Sequence, residues 1–236
     1  MLKQIISDEC RLLTFRSPSH AVSTNWPAYL AFGLFCTWLA GIARYWDNPR
    51  AELWQMLGLG SIAYVFVLAT ILWLLIAPLR PKNWSYRNVL TFVTLTAPPA
   101  LLYAVPVERF LSPSNAEDVN GWFLIIVATW RVVLLGTFLR RVGKLAWVPM
   151  VVATVLPLAI IVMSLATLNL EHVVFNLMAG IRDTDQSAND SSYVLVRGLA
   201  YLSFLSSPVL GFAYISCVVG AWSNHLANKH RGQRIK

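Results

Sequence analysis

The sequence predicts an all-α fold: a polytopic transmembrane helical bundle of about six spans, with proline-kinked helices and both termini cytoplasmic. Three observations lead there. Of 236 residues, 57% are hydrophobic and 13% charged, whereas a soluble domain carries about 25% charged residues. The apolar residues gather in runs of about eighteen or more, enough to cross a hydrocarbon core of about 30 Å as helix. The basic residues, finally, fall mainly in alternate connections.

Residues 1–25 form the first unit, a cytoplasmic amphipathic segment. Leu2, Ile5, Ile6 and Leu13 recur at helical spacing among polar residues, which predicts an interfacial helix on the inner leaflet with Lys3 and Arg11 near anionic headgroups. Asp8, Glu9, Arg11 and Arg16 precede the first apolar run, a pattern unlike a cleaved signal peptide.

Residues 26–222 make the six-span domain, with spans at Trp26–Trp46, Leu53–Pro78, Val89–Val105, Gly121–Leu139, Leu145–Thr167 and Tyr193–Trp222. Pro98, Pro99, Pro157 and Pro208 fall inside spans three, five and six. Each proline frees a backbone carbonyl, which in hydrocarbon needs a neighbouring helix, a hydroxyl or water. After span five, Leu170, Val173, Val174, Leu177, Met178 and Ile181 form an amphipathic stripe, followed by the acidic, turn-rich "DTDQSANDSSY". Residues 223–236 are a basic cytoplasmic tail.

Net charge is +8, but the basic residues are scattered through short connections and do not form a nucleic-acid face. Thirteen lie in residues 1–25, the second and fourth loops and the tail; Arg44, Arg50, Arg109 and Arg182 lie on the other side. The positive-inside rule then places both termini in the cytoplasm, and a bacterial inner membrane is the expected location. Eight of the ten tryptophans fall near span ends, with Trp38 and Trp130 the exceptions. Cys10, Cys36 and Cys217 fall where no structural disulfide is expected.

The sharpest local signal is Arg131, in the middle of "GWFLIIVATWRVVLLGTFLRR". A charge at a span centre costs about 2.5–3.5 kcal/mol and must face protein or water. No Asp or Glu lies inside a span, so its five donors have three outlets: an anion or lipid headgroup, carbonyls freed by Pro98, Pro99 or Pro157, or snorkelling to the headgroups. Arg197, on a side of span six with Tyr201, Pro208, Gly211 and Tyr214, is expected to point into the bundle, where it either packs or joins Arg131 as a ligand group. If spans one and three are neighbours, Arg44, Asp47, Glu108 and Arg109 can form an ion network at the outer mouth, most simply a structural staple.

Enzyme signatures are absent. His20, His172, His225 and His230 lack metal-ligand spacing, and Ser206 and Ser207 lack a nucleophile elbow. "DTDQSAND" lacks the central Gly and final Glu of a calcium loop. No metal or cofactor is expected. With its short loops and proline-broken "LTAPPALLYAV", the chain resembles the broad group of small Yip1-like multi-pass membrane proteins at the level of hydropathy. That resemblance implies a non-enzymatic role exercised through membrane partners and assigns no residue roles. The expected function is a non-catalytic partner, scaffold or regulator of a membrane process, working with lipids and a membrane-protein partner or second copy. The alternative is a transporter, or a lipid- or anion-binding protein that uses Arg131 and Arg197.

Overall fold

The structure is a computed structural model that describes residues 1–17, 19, 21–46, 52–168 and 191–233, excepting the side chains of 108, 113, 114, 117, 191–196 and 228–233. The amphipathic stripe at 170–181, the acidic loop, Asp47 and the end of the basic tail lie outside the described residues.

The described residues fold as helices α1 (Leu2–Leu13), α2 (Ala21–Thr24), α3 (Trp26–Tyr45), α4 (Leu53–Met56), α5 (Leu59–Ile76), α6 (Tyr86–Leu95), α7 (Pro113–Arg141), α8 (Trp147–Thr167) and α9 (Ser191–Gln233), with short 3-10 turns between some of them. Five helical segments are long and apolar enough to cross a membrane: Trp26–Tyr45, Leu59–Leu79, Asp118–Arg141, Trp147–Thr167 and Arg197–Ala227. The second expected span is shorter than predicted because Gly58, at φ 67°, ends the α4 turn before α5 begins. A Cβ there would stand 2.8 Å from the Trp38 carbonyl oxygen, so both the backbone angle and the space require glycine.

The third expected span is not one helix. Ser85 accepts a hydrogen bond from the Asn88 N–H and caps α6, which runs ten residues to Leu95; after Thr96 and Ala97 the chain continues as a 3-10 segment, Pro98–Ala104. Two adjacent prolines supply no N–H, so the α-helical ladder cannot continue through them. Both ends of this broken segment are pinned to α3. The Arg87 guanidinium stacks over the Trp26 ring at 5.3 Å, and Trp46 Nε1 donates to the Ala104 oxygen at 3.1 Å. The segment therefore runs parallel to the 20-residue α3 over its whole length. Gly33 allows the close approach midway, since a Cβ there would sit 2.5 Å from Thr94 Oγ1.

All of Val89–Leu95 is buried, and the Phe92 ring stacks on Phe138 of α7 at 4.2 Å. At one end of the bundle the basic loops meet: the Lys82 N–H donates to the Gly143 oxygen at 2.8 Å, and Arg140 Nη1 to the Leu145 oxygen at 2.7 Å. The Arg80 guanidinium covers Trp222 of α9 there. Helix α9 packs chiefly on α8, and Tyr214 donates to the Leu75 oxygen at 2.8 Å.

Helix α1 forms where the periodicity placed it, but with another face inward. Ile5, Asp8, Glu9 and Leu12, at i, i+3, i+4 and i+7, are buried, while Leu2 and Ile6 are exposed. Ile5 and Leu12 join the main core with residues of α3, α5, α6, α7 and α8. The helix therefore packs on the bundle and carries two carboxyl groups with it.

Candidate functional site

Arg131 reaches the break in the third segment. Its Nε donates to the Thr96 carbonyl oxygen at 3.0 Å. That oxygen needs a donor from outside: residue 99, three positions on, is proline, and the N–H of residue 100, four positions on, bonds to Ala97 instead. Of the outlets open to a guanidinium at this depth, the proline-freed carbonyl takes one nitrogen. Among the described residues no acceptor takes the terminal nitrogens.

Arg44 is the residue that the sequence did not connect with this point. It lies within electrostatic reach of Tyr103, Tyr45, Arg131 and Tyr64, and its guanidinium carbon stands 4.8 Å from the Tyr103 ring centroid. Tyr103 in turn lies within reach of both arginines. The centre thus draws on α3, α5, the 3-10 segment and α7: two guanidinium groups within electrostatic reach of each other and of Tyr103, one of them over its ring. Groups of this kind bind oxyanions, since a guanidinium offers parallel donors to two oxygens and a phenol adds a third.

The segments expected as spans one and three are neighbours, the condition set for the outer network. Its arginines, however, rest on aromatic rings, Arg44 on Tyr103 and Arg109 on Trp46 at 4.8 Å. Asp47 and the Glu108 side chain lie outside the described residues. Arg197 does not point inward. It is exposed on α9, with its guanidinium 5.9 Å from the Tyr201 ring centroid, because α9 turns its Ala200 side to the bundle instead.

The two tryptophans away from span ends also meet backbone oxygens. Trp130 Nε1 donates to Leu13 at 3.0 Å, which ties the end of α1 to α7 beside Arg131. Trp38 Nε1 donates to Leu57 at 2.9 Å, at the α4–α5 turn.

The carboxyl groups of α1 were missed as buried groups, although the 5-8-9-12 spacing carries the signal. Asp8 accepts from the Ser19 N–H at 3.1 Å, the Ser19 hydroxyl at 2.6 Å and the Tyr29 hydroxyl at 2.6 Å. Burial works against its charge, but these hydrogen bonds outweigh it and hold the carboxyl below its ordinary range. Glu9, 5% exposed, has no partner for either oxygen among the described residues. Burial pushes it up to about 8. No group of three or more His, Cys, Asp or Glu among the described residues could hold a metal ion.

No known protein-family model matches this chain, and no curated protein or solved structure matches it.

Proposed function

We propose that this chain is a non-catalytic integral membrane protein that binds an anionic group, a phosphate of a lipid head or a free oxyanion, at the Arg131 centre. The observation that carries the reading is the divided use of one guanidinium. Its Nε meets the Thr96 oxygen, while its terminal nitrogens have no acceptor among the described residues, and the group is within electrostatic reach of Arg44. An intramembrane cation persists where it has work for its donors.

In this reading the broken third segment is a crossing, because it accompanies α3 from Trp26 to Trp46. Six crossings put both termini on the cytoplasmic side of a bacterial inner membrane, as the basic loops favour. Pro157 and Pro208 bend α8 and α9 within it.

Native mass spectrometry with phosphatidylglycerol and with inorganic phosphate tests the site in wild type, Arg131→Lys and Arg131→Met. A lysine can still cap the Thr96 oxygen but offers no fork. The expected result is at least tenfold weaker retention in Arg131→Lys at an unchanged melting temperature. Equal retention in all three proteins sinks the proposal. The phosphate arm separates a lipid head from a free oxyanion.

A second reading, a partner, scaffold or regulator, is favoured by the Thr96 bond itself, since it gives Arg131 a purely architectural duty. Stoichiometric co-purification of a membrane protein or a second copy, with no anion retained, supports it.

A further inference from the structure

At the basic end a cavity of about 480 Å³ lies between residues of α1 and α2 on one side and helices α6 and α7 on the other. Its α6 wall is a single helical stripe, Arg87, Asn88, Thr91, Phe92 and Leu95, which changes from charged to apolar over about 12 Å of helix. Leu12 and Phe138 complete the apolar end, and Asp8 and Ser19 stand on the N-terminal side. The volume falls in the range of small-molecule sites, about 300–1,000 Å³, and suits a head group with the near part of one chain better than two chains side by side.

Both signs of charge line this cavity. The Arg87 guanidinium has the Trp26 ring at 5.3 Å as its contact and no hydrogen-bond acceptor among the described residues. Asp8 uses three of the roughly four acceptor positions of a carboxylate. An anionic head would satisfy Arg87 but face Asp8; a cationic head would do the reverse. A head carrying both charges satisfies both, and one alkyl chain fills the apolar end.

We infer that this cavity binds a single-chain zwitterionic phospholipid, with its phosphate on Arg87, its ammonium towards Asp8, and its chain running along α6 to Leu95 and Phe138. The site is separate from the Arg131 centre. Its polar end lies with Arg87 and Asn83 at the level of the basic loops, and its apolar end lies deeper in the bundle. That is the order in which a lipid presents its parts to a membrane protein.

The probe is lysophosphatidylethanolamine with a photoactivatable group at the end of its chain, added to the full-length protein in amphipol. The expected result is one lysolipid per chain, with label on the peptides holding Phe92–Leu95 or Phe138–Val142. Retention should fall at least tenfold in Arg87→Gln, while Trp26→Phe, which weakens the same stack but keeps the guanidinium, should retain the lysolipid and so separates lost binding from lost packing. Leu95→Trp, which fills the apolar end, should remove the label from these peptides. Arg131→Lys should leave retention unchanged, so that failure here and failure at the Arg131 centre are distinguishable. Equal retention by wild type and Arg87→Gln overturns the inference, as does label spread over the exposed faces of the spans. Lysophosphatidylglycerol retained as well as the zwitterion, or inorganic phosphate displacing it, overturns it too.

Discussion

The broken third segment and the last helix handle the same defect in opposite ways. The third segment is buried along Val89–Leu95 and breaks at Thr96–Pro99. The last, α9, runs unbroken for 43 residues through Pro208, and no residue of its most apolar stretch is buried. In both, proline leaves a carbonyl without its usual donor. In α9 it is Phe204, four residues before Pro208, and the Ser207 hydroxyl of the same helix donates to it at 2.9 Å. In the third segment it is Thr96, and the donor comes from another helix, at Arg131. A helix on the periphery must satisfy its own backbone, whereas one wrapped by neighbours can open and be completed by them. The shielded break is therefore where a charged side chain becomes tolerable.

Glu9 sharpens this contrast most, because it is shielded yet lacks any hydrogen-bonding neighbour among the described residues. Its carboxyl is raised from 4.5 to about 8 by burial, so the folded state holds a proton that the unfolded state has released. Stability is then highest at low pH and falls by about 1.4 kcal/mol per pH unit as pH rises from about 4.5 to about 8. Melting temperatures measured from pH 4 to pH 9 should show this decline in wild type, and Glu9→Gln should flatten it. A decline that survives in Glu9→Gln assigns it to other groups.

The next effect compares the two carbonyl caps directly. Arg131→Met leaves the Thr96 oxygen without its donor and should cost about 1.5–3 kcal/mol, the range for a hydrogen bond to a charged group. Ser207→Ala on α9 should cost about 0.6 kcal/mol, typical of hydrogen bonds inside membrane helices. Unfolding in mixed micelles ranks the two. A larger loss at Ser207 would reverse the contrast between shielded and peripheral breaks.

Much of this was legible in the sequence. Hydropathy gave the long helices, the Pro98–Pro99 pair gave a freed carbonyl, and the lone Arg131 gave a donor for which such a carbonyl was one of three outlets. What stayed hidden was rotation. On α1 the apolar Leu2 and Ile6 point away while Asp8 and Glu9 point in, because Ser19 and Tyr29 compensate Asp8 and protonation compensates Glu9. On α9 the polar look of the Arg197–Tyr201 side suggested an inward face, yet both residues are exposed. In a bilayer the apolar surface has lipid as its solvent, so hydropathy alone does not choose which face meets the protein. The electrostatic coupling of Arg44 with Arg131 was hidden for a related reason: it depends on how the helices pack, which local spacing does not set.

The account rests on the third segment being a crossing that carries the Thr96 oxygen through the hydrocarbon, where it needs Arg131. The direct measurement places single cysteines at Lys82 and at Ser112, exposed positions before and after the segment. Cys10, Cys36 and Cys217 are replaced by alanine, and labelling uses an impermeant maleimide on right-side-out and inverted vesicles. Labelling of the two positions from opposite faces is the expected result. Labelling of both from one face would make the segment re-entrant and contradict the six-crossing architecture.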